Sequence, residues 1–221
     1  MDPLDRLAGP GADLLRRVDD TLVAAGAPDD HRIWPLLRRL RALPGEAVAA
    51  VAALHPAPLA EAGGALRTRL PEYEDARAAL AREVSWQGAG AEAYAAQRDA
   101  LAAYLTAGPE SLAGRLSATA GYAAALGDWV TASRGALART VAEVLGSAEA
   151  VALLPGAAED GPASAAPAAA EIGARVLTTV AEAYDRAEAL LARWAPRLGE
   201  VDFRPPAGTA ARFDLTTRVE G

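Results

Sequence analysis

Residues 111–154 read SLAGRLSATAGYAAALGDWVTASRGALARTVAEVLGSAEAVALL. Within them Leu112, Leu116, Thr119, Ala123, Leu126, Val130, Ser133, Leu137, Val141, Val144, Ala148 and Val151 follow at steps of four and three, almost strictly alternating. A period near 3.5 keeps one stripe of a helix facing a partner helix, so the pattern predicts one long helix over residues 111–154 with a coiled-coil-like seam. Several seam positions are small, which lets the partner approach closely.

Composition agrees with this reading. The 221 residues are 52% hydrophobic, much of it alanine, and only 5% aromatic. Alanine loses no side-chain entropy in a helix, whereas a sheet protein of this length would need many more branched and aromatic residues. The expected fold class is all-α: an elongated helical bundle with a helical hairpin, extra N-terminal helices and a C-terminal helix. Every lysine-or-arginine position is arginine and asparagine is absent, the mark of a GC-rich coding sequence. The net charge of −7, with arginines scattered among carboxylates, provides no basic stripe for phosphate. Nucleic acid and anionic membrane are therefore not expected partners. No cysteine is present, so there is no disulfide framework or thiolate nucleophile. The acidic start Met1-Asp2-Pro3-Leu4-Asp5 does not read as a secretory signal, and no apolar run approaches the ~18 residues of a membrane span. Synthesis in the cytoplasm is expected, with any export by a signal-peptide-independent route.

Outward from the long helix, residues 1–55 read as short N-terminal helices. A Gly9-Pro10-Gly11 break precedes Leu14, Leu15, Val18 and Leu22, and an arginine-studded helix spans Ile33–Leu43 with Pro35 in its first turn. Residues 57–154 read as the hairpin, with Pro71 forcing a kink or a restart before Glu72, and a further helix from Ala91 to about Ala107. An Ala/Pro linker follows over 155–167. A C-terminal helix over 168–196 carries Ile172, Val176, Leu177, Val180, Tyr184, Leu191 and Trp194 on one broad face. An irregular tail fills 197–221.

Signals for chemistry are sparse. His31 and His55 sit in separate proline-containing loops without a ligand partner at helical spacing, and they read as exposed loop histidines. No serine lies on a Gly-x-Ser-x-Gly turn and no phosphate-binding glycine loop is present. The acid pairs Asp29/Asp30 and Glu72/Glu74 suit helix starts. The expectation is a non-enzymatic chain with no catalytic residue, no metal and no cofactor.

One motif stands apart. Trp86-Gln87-Gly88 lies between two helical segments, where glycine permits a tight reversal and the indole can plug the open end of a hairpin. With Ala89, Ala91 and Tyr94 following, it resembles the Trp-x-Gly turn of the WXG family of type VII (ESX) secretion proteins. That family's second signature, Tyr-x-x-x-Asp/Glu among spaced apolar residues, is similar to Tyr184-x-x-x-Glu188-x-x-Leu191 on the last helix. The resemblance implies a hairpin around Trp86 and Gly88, and recognition of this turn and of Tyr184 and Glu188 by the secretion ATPase. It also implies association with itself or with a related WXG-type helical protein. Typical members are one hairpin of about half this length. In this chain an N-terminal extension and a linker are added, and the linker separates the two motifs. The expected function is cargo or partner protein of a type VII secretion system. The alternative is an intracellular helical scaffold or adaptor that is not exported.

Overall fold

Asp2 accepts a hydrogen bond from the Leu4 N–H at 2.8 Å and so opens the first helix, α1 (Pro3–Arg6). It belongs to a computed structural model that describes residues 2–82, 87–154, 161–199 and 202–204. All regular structure among these residues is helical, with no strand. Leu7 separates α1 from α2 (Ala8–Ala25). The break expected at Gly9-Pro10-Gly11 is thus corrected: these residues form the first turn of α2, where the N–H that proline lacks would have had no intrahelical partner.

After α2, α3 (Ile33–Leu40) carries Pro35 in its first turn, as expected. It stops three residues before the expected Leu43 because Arg41 turns left-handed (φ 52°) and returns its N–H to the Leu37 carbonyl. Next, α4 (Pro44–Ala52) starts on proline, and the Glu46 carboxylate accepts the Leu43 N–H at 3.0 Å. Between α5 (Ala57–Thr68) and α6 (Leu70–Leu80), Pro71 produces a restart, with Glu72 in the first turn of α6. Then come α7 (Ala89–Thr106), α8 (Leu112–Leu145), α9 (Ala148–Ala152), α10 (Pro162–Trp194) and a 3-10 turn at Ala195–Arg197.

Two expectations about the long helices are corrected. The helix expected through residue 154 ends at Leu145, because Gly146 is a poor helix former and the Ser147 hydroxyl caps a new start by accepting the Ala150 N–H at 3.3 Å. The seam changes register across this break: Ala150 and Leu153 are buried, while the expected Ala148 and Val151 are exposed. The linker expected through Pro167 is shorter, since α10 begins at Pro162. Pro167 is exposed inside α10, and the neighbouring Ala165, Ala166, Ala169 and Ala170 are buried. Their packing offsets the hydrogen bond that Pro167 cannot make. Residues 155–160 of that expected linker lie outside the described residues.

Contacts group the chain into two compact units: Met1–Glu61 with Ala123–Arg193, and Ala62–Tyr122 with Trp194–Gly221. The first unit holds a continuous core in which Leu14, Leu15 and Val18 of α2 and Ile33 of α3 meet Leu137, Val141 and Val144 of α8 and Ile172, Val176, Leu177 and Val180 of α10. Each such side chain, fully removed from water, stabilises by about 1.5–3 kcal/mol before entropy is counted. Close approach explains two glycines: a Cβ on Gly11 would lie 2.9 Å from Val141, and one on Gly173 would lie 2.7 Å from Ile33.

Arg134 of α8 is buried beside this core at 2% exposure. Its Nε donates to Asp2 at 2.8 Å, its second terminal nitrogen donates to Asp5 at 2.6 Å, and its first donates to the carbonyls of Ala52 and Leu54. The guanidinium therefore pins α1 and the end of α4 to α8, and a buried cation is tolerable there because its donors are engaged.

In the second unit, α6 and α7 pack against each other. No residue of either is buried. The first part of α8 packs against Trp194 and the 3-10 turn that follows it. Trp194 stands over Gly121, where a Cβ would be 2.7 Å from the ring, and lies 6.1 Å from Tyr122 between ring centroids. Arg115 donates to the Pro196 carbonyl at 3.1 Å.

Candidate functional site

Of the four residues singled out by sequence, the three that are described fall in both units. Trp86 lies outside the described residues. Gly88, in the second unit, is the N-cap of α7 with φ 107° and ψ 177°. L side chains rarely adopt that conformation, so a glycine is required here for a backbone reason. The Gly88 carbonyl then accepts from the Ala91 and Glu92 N–H groups and starts the helix.

Tyr184 and Glu188, in the first unit, stand one turn apart on α10, and both are exposed. The buried track of α10 runs Val176, Val180, Ala183 and Leu190. Tyr184 is one residue past Ala183, about 100° around the helix, and so points away from the core. The expected broad apolar face is corrected accordingly: Ile172, Val176, Leu177 and Val180 are core, but Tyr184 and Leu191 are 48% and 54% exposed. Tyr184, Glu188 and Leu191 thus form a solvent-facing stripe at i, i+4 and i+7.

This stripe sits on a helix held firmly from behind. The Trp129 indole N–H of α8 donates to the Ala183 carbonyl at 2.8 Å, one residue before Tyr184. The hydroxyls of Thr140 and Thr179 meet at 2.9 Å. Beside the stripe, Asp185 pairs with Arg39 of α3. The Arg39 hydrogen bond holds the Asp185 carboxyl below its ordinary range, and Asp185, with a smaller contribution from Glu188, strengthens the charge of Arg39. Sequence reasoning missed Trp129, Arg39 and Asp185. Trp129 carries one local signal, an indole adjoining seam residue Val130, but Arg39 and Asp185 are 146 positions apart and have none.

A second charged group lies further up α10. Glu171 accepts from Arg32 at 2.7 and 3.3 Å and from Arg175 at 2.9 Å, and Arg175 also reaches Glu149 at 3.3 Å. Arg32 above all keeps the Glu171 carboxyl below the usual range. His31 Nε2 is 3.7 Å from Glu171, while its Nδ1 accepts the Ile33 N–H at 3.2 Å. His31 is therefore a half-buried helix-start residue and not the exposed loop histidine expected, because its ring completes the first turn of α3. Both Glu171 oxygens are engaged by guanidinium groups, an arrangement that fastens α3 and α9 to α10 and leaves no free base. Among the described residues no group of three or more His, Asp and Glu side chains is placed to hold a metal ion, and no helix is long and apolar enough to cross a membrane. Compared with family models, with curated proteins and with solved structures, the chain matches none of them.

Proposed function

We propose that the chain is a non-enzymatic, WXG/ESX-like helical protein that serves as cargo or partner of a type VII secretion system. The observation that carries this reading is the outward stripe of Tyr184, Glu188 and Leu191 on α10, backed by the Trp129–Ala183 hydrogen bond. A large aromatic and a leucine left in water on an otherwise well-packed helix offer a receptor an aromatic anchor, a charge and an aliphatic contact in one row. The positive φ of Gly88 between α6 and α7 supports a specific turn at the Trp-x-Gly motif. The receptor in this reading is the secretion ATPase, and the bundle associates with a second copy or a related helical chain. Synthesis is cytoplasmic and export needs no cleavable signal.

The test follows the protein in culture fluid with and without the secretion ATPase, alongside a Tyr184→Ala/Glu188→Gln variant. The reading expects ATPase-dependent export that the variant loses while keeping its fold. Absence from the medium with the ATPase present sinks the cargo role and favours an intracellular scaffold.

A further inference from the structure

A groove of about 600 Å³ opens in the first unit between α1, α2 and α4. That is within the ~300–1,000 Å³ typical of small-molecule sites. It is lined by small residues where larger ones would narrow it: Ala8 and Ala12 on α2, Ala49 and Ala52 on α4. Leu15 and Val48 supply the apolar floor.

The charges around it are one-sided. Asp5, Asp13, Asp19 and Asp20 line the groove, against Arg16 as the one arginine among the lining residues. Arg16 is drawn to Asp13 and Asp20 at 3.7 and 3.9 Å, and Asp5 is committed to Arg134. Asp19 differs from the rest. It is half-buried, both of its oxygens lie 3.1 Å from the Gly45 nitrogen, and Glu46 and Asp20 add like charge. Burial first, then the like charge of Glu46 and Asp20, push its carboxyl up to about 6 against the lowering hydrogen bond from Gly45. A half-buried carboxylate in this state is stabilised by a positive charge that reaches it.

We infer that this groove is a binding site for a small amphiphilic cation, an ammonium group carried on an aliphatic or aryl body, with Asp19 as its counter-charge and Leu15 and Val48 beneath its apolar part. The site is independent of the secretion reading and stands or falls without it.

The probe is octylammonium chloride, titrated calorimetrically into the full chain, with 1-octanol and octanoate as neutral and anionic controls. Saturable one-to-one binding of octylammonium alone is expected, with NMR methyl shifts centred on Ala8, Ala12, Val48 and Ala49. Asp19→Asn keeps an oxygen for the Gly45 N–H but removes the charge, so affinity should fall at least about tenfold while the protein stays folded. Ala49→Trp, at an exposed position, should block the groove. The ammonium stays charged below pH ~9, so affinity should drop about tenfold from pH 8 to pH 5 as Asp19 takes up its proton. The other groups around Asp19 are Asp5 on α1, Arg16, Asp13 and Asp20 on α2, and Glu46 on α4. Their part is separated by repeating the pH series on Asp19→Asn, which should be nearly flat. Equal binding of octanol or octanoate, or unchanged affinity in Asp19→Asn, overturns the assignment. So does a basic amphipathic peptide that binds the groove at least tenfold more tightly than octylammonium, since the groove then belongs to a helical partner.

Discussion

α10 and α7 are both alanine-rich helices, yet α10 buries residues along most of its length and α7 buries none. Alanine explains why each is a helix, and it does not explain a core. The difference lies in the branched aliphatics: α10 places Ile172, Val176, Leu177 and Val180 on its packed track, whereas α7 has Leu101 and Leu105, both half-buried, among alanines and tyrosines. Local stability therefore resides in the first unit, and α6 with α7 in the second forms a region of low local stability.

The sharpest way to break this contrast is the same truncation on both helices. Leu177→Ala should cost about 3–5 kcal/mol, because the site is sealed on all sides, while Leu101→Ala should cost only about 1 kcal/mol. Urea unfolding followed by circular dichroism measures both, and equal losses would refute the division. Arg134→Met comes next, at about 2–3 kcal/mol. The loss stays below that of a fully buried ion pair because Asp2 and Asp5 can turn to water. Hydrogen exchange should then show α1 released while the protection of α10 persists.

A smaller effect probes the groove side of the first unit through pH. Asp19 has its carboxyl raised to about 6 in the folded chain, above its unfolded value, so its ionised form is disfavoured by folding. Stability is thus diminished above pH 6 and recovered as pH falls toward 4. Asp19→Asn should be more stable than the parent at pH 7 by roughly 1–2 kcal/mol, after allowance for solvent at a half-exposed site. The difference should vanish near pH 4, as read from melting temperatures. Asp2, Glu171 and Asp185 act in the opposite sense. Their carboxyls are lowered, so their contribution is present at neutral pH and is lost as the pH falls through their depressed values. The smallest change in stability belongs to Tyr184→Ala/Glu188→Gln, at most about 0.5 kcal/mol for exposed positions. A larger loss would mean that the stripe is packed, and the docking role would fall with it.

Much of the helical architecture was legible from local chemistry. Pro35 and Pro71 each sit in a first turn, and the seam residues Ala123, Val130, Ser133, Leu137, Val141 and Val144 are buried at the spacing the sequence predicts, whereas Thr119 nearer the helix start is exposed and Ala120 is buried in its place. These follow from propensity, capping and periodicity, which act within a few residues of chain. The candidate site was legible only as spacing. Tyr184 and Glu188 share a helix face by pitch alone, but sequence assigned Tyr184 and Leu191 to the packed side, because an apolar residue does not announce whether its face is covered.

What the sequence by itself determined, then, is an all-helical chain, the first-turn placement of Pro35, the restart at Pro71 and the seam period along residues 123–144. Tertiary structure alone decided the helical Pro167, the burial of Arg134 and the outward turn of Tyr184. The physical reason is common to all three. Each depends on what lies opposite in space: alanines packed around a proline, two aspartates 132 and 129 positions from an arginine, an indole holding one carbonyl of α10. Such partners contribute nothing to the local pattern from which a helix is read.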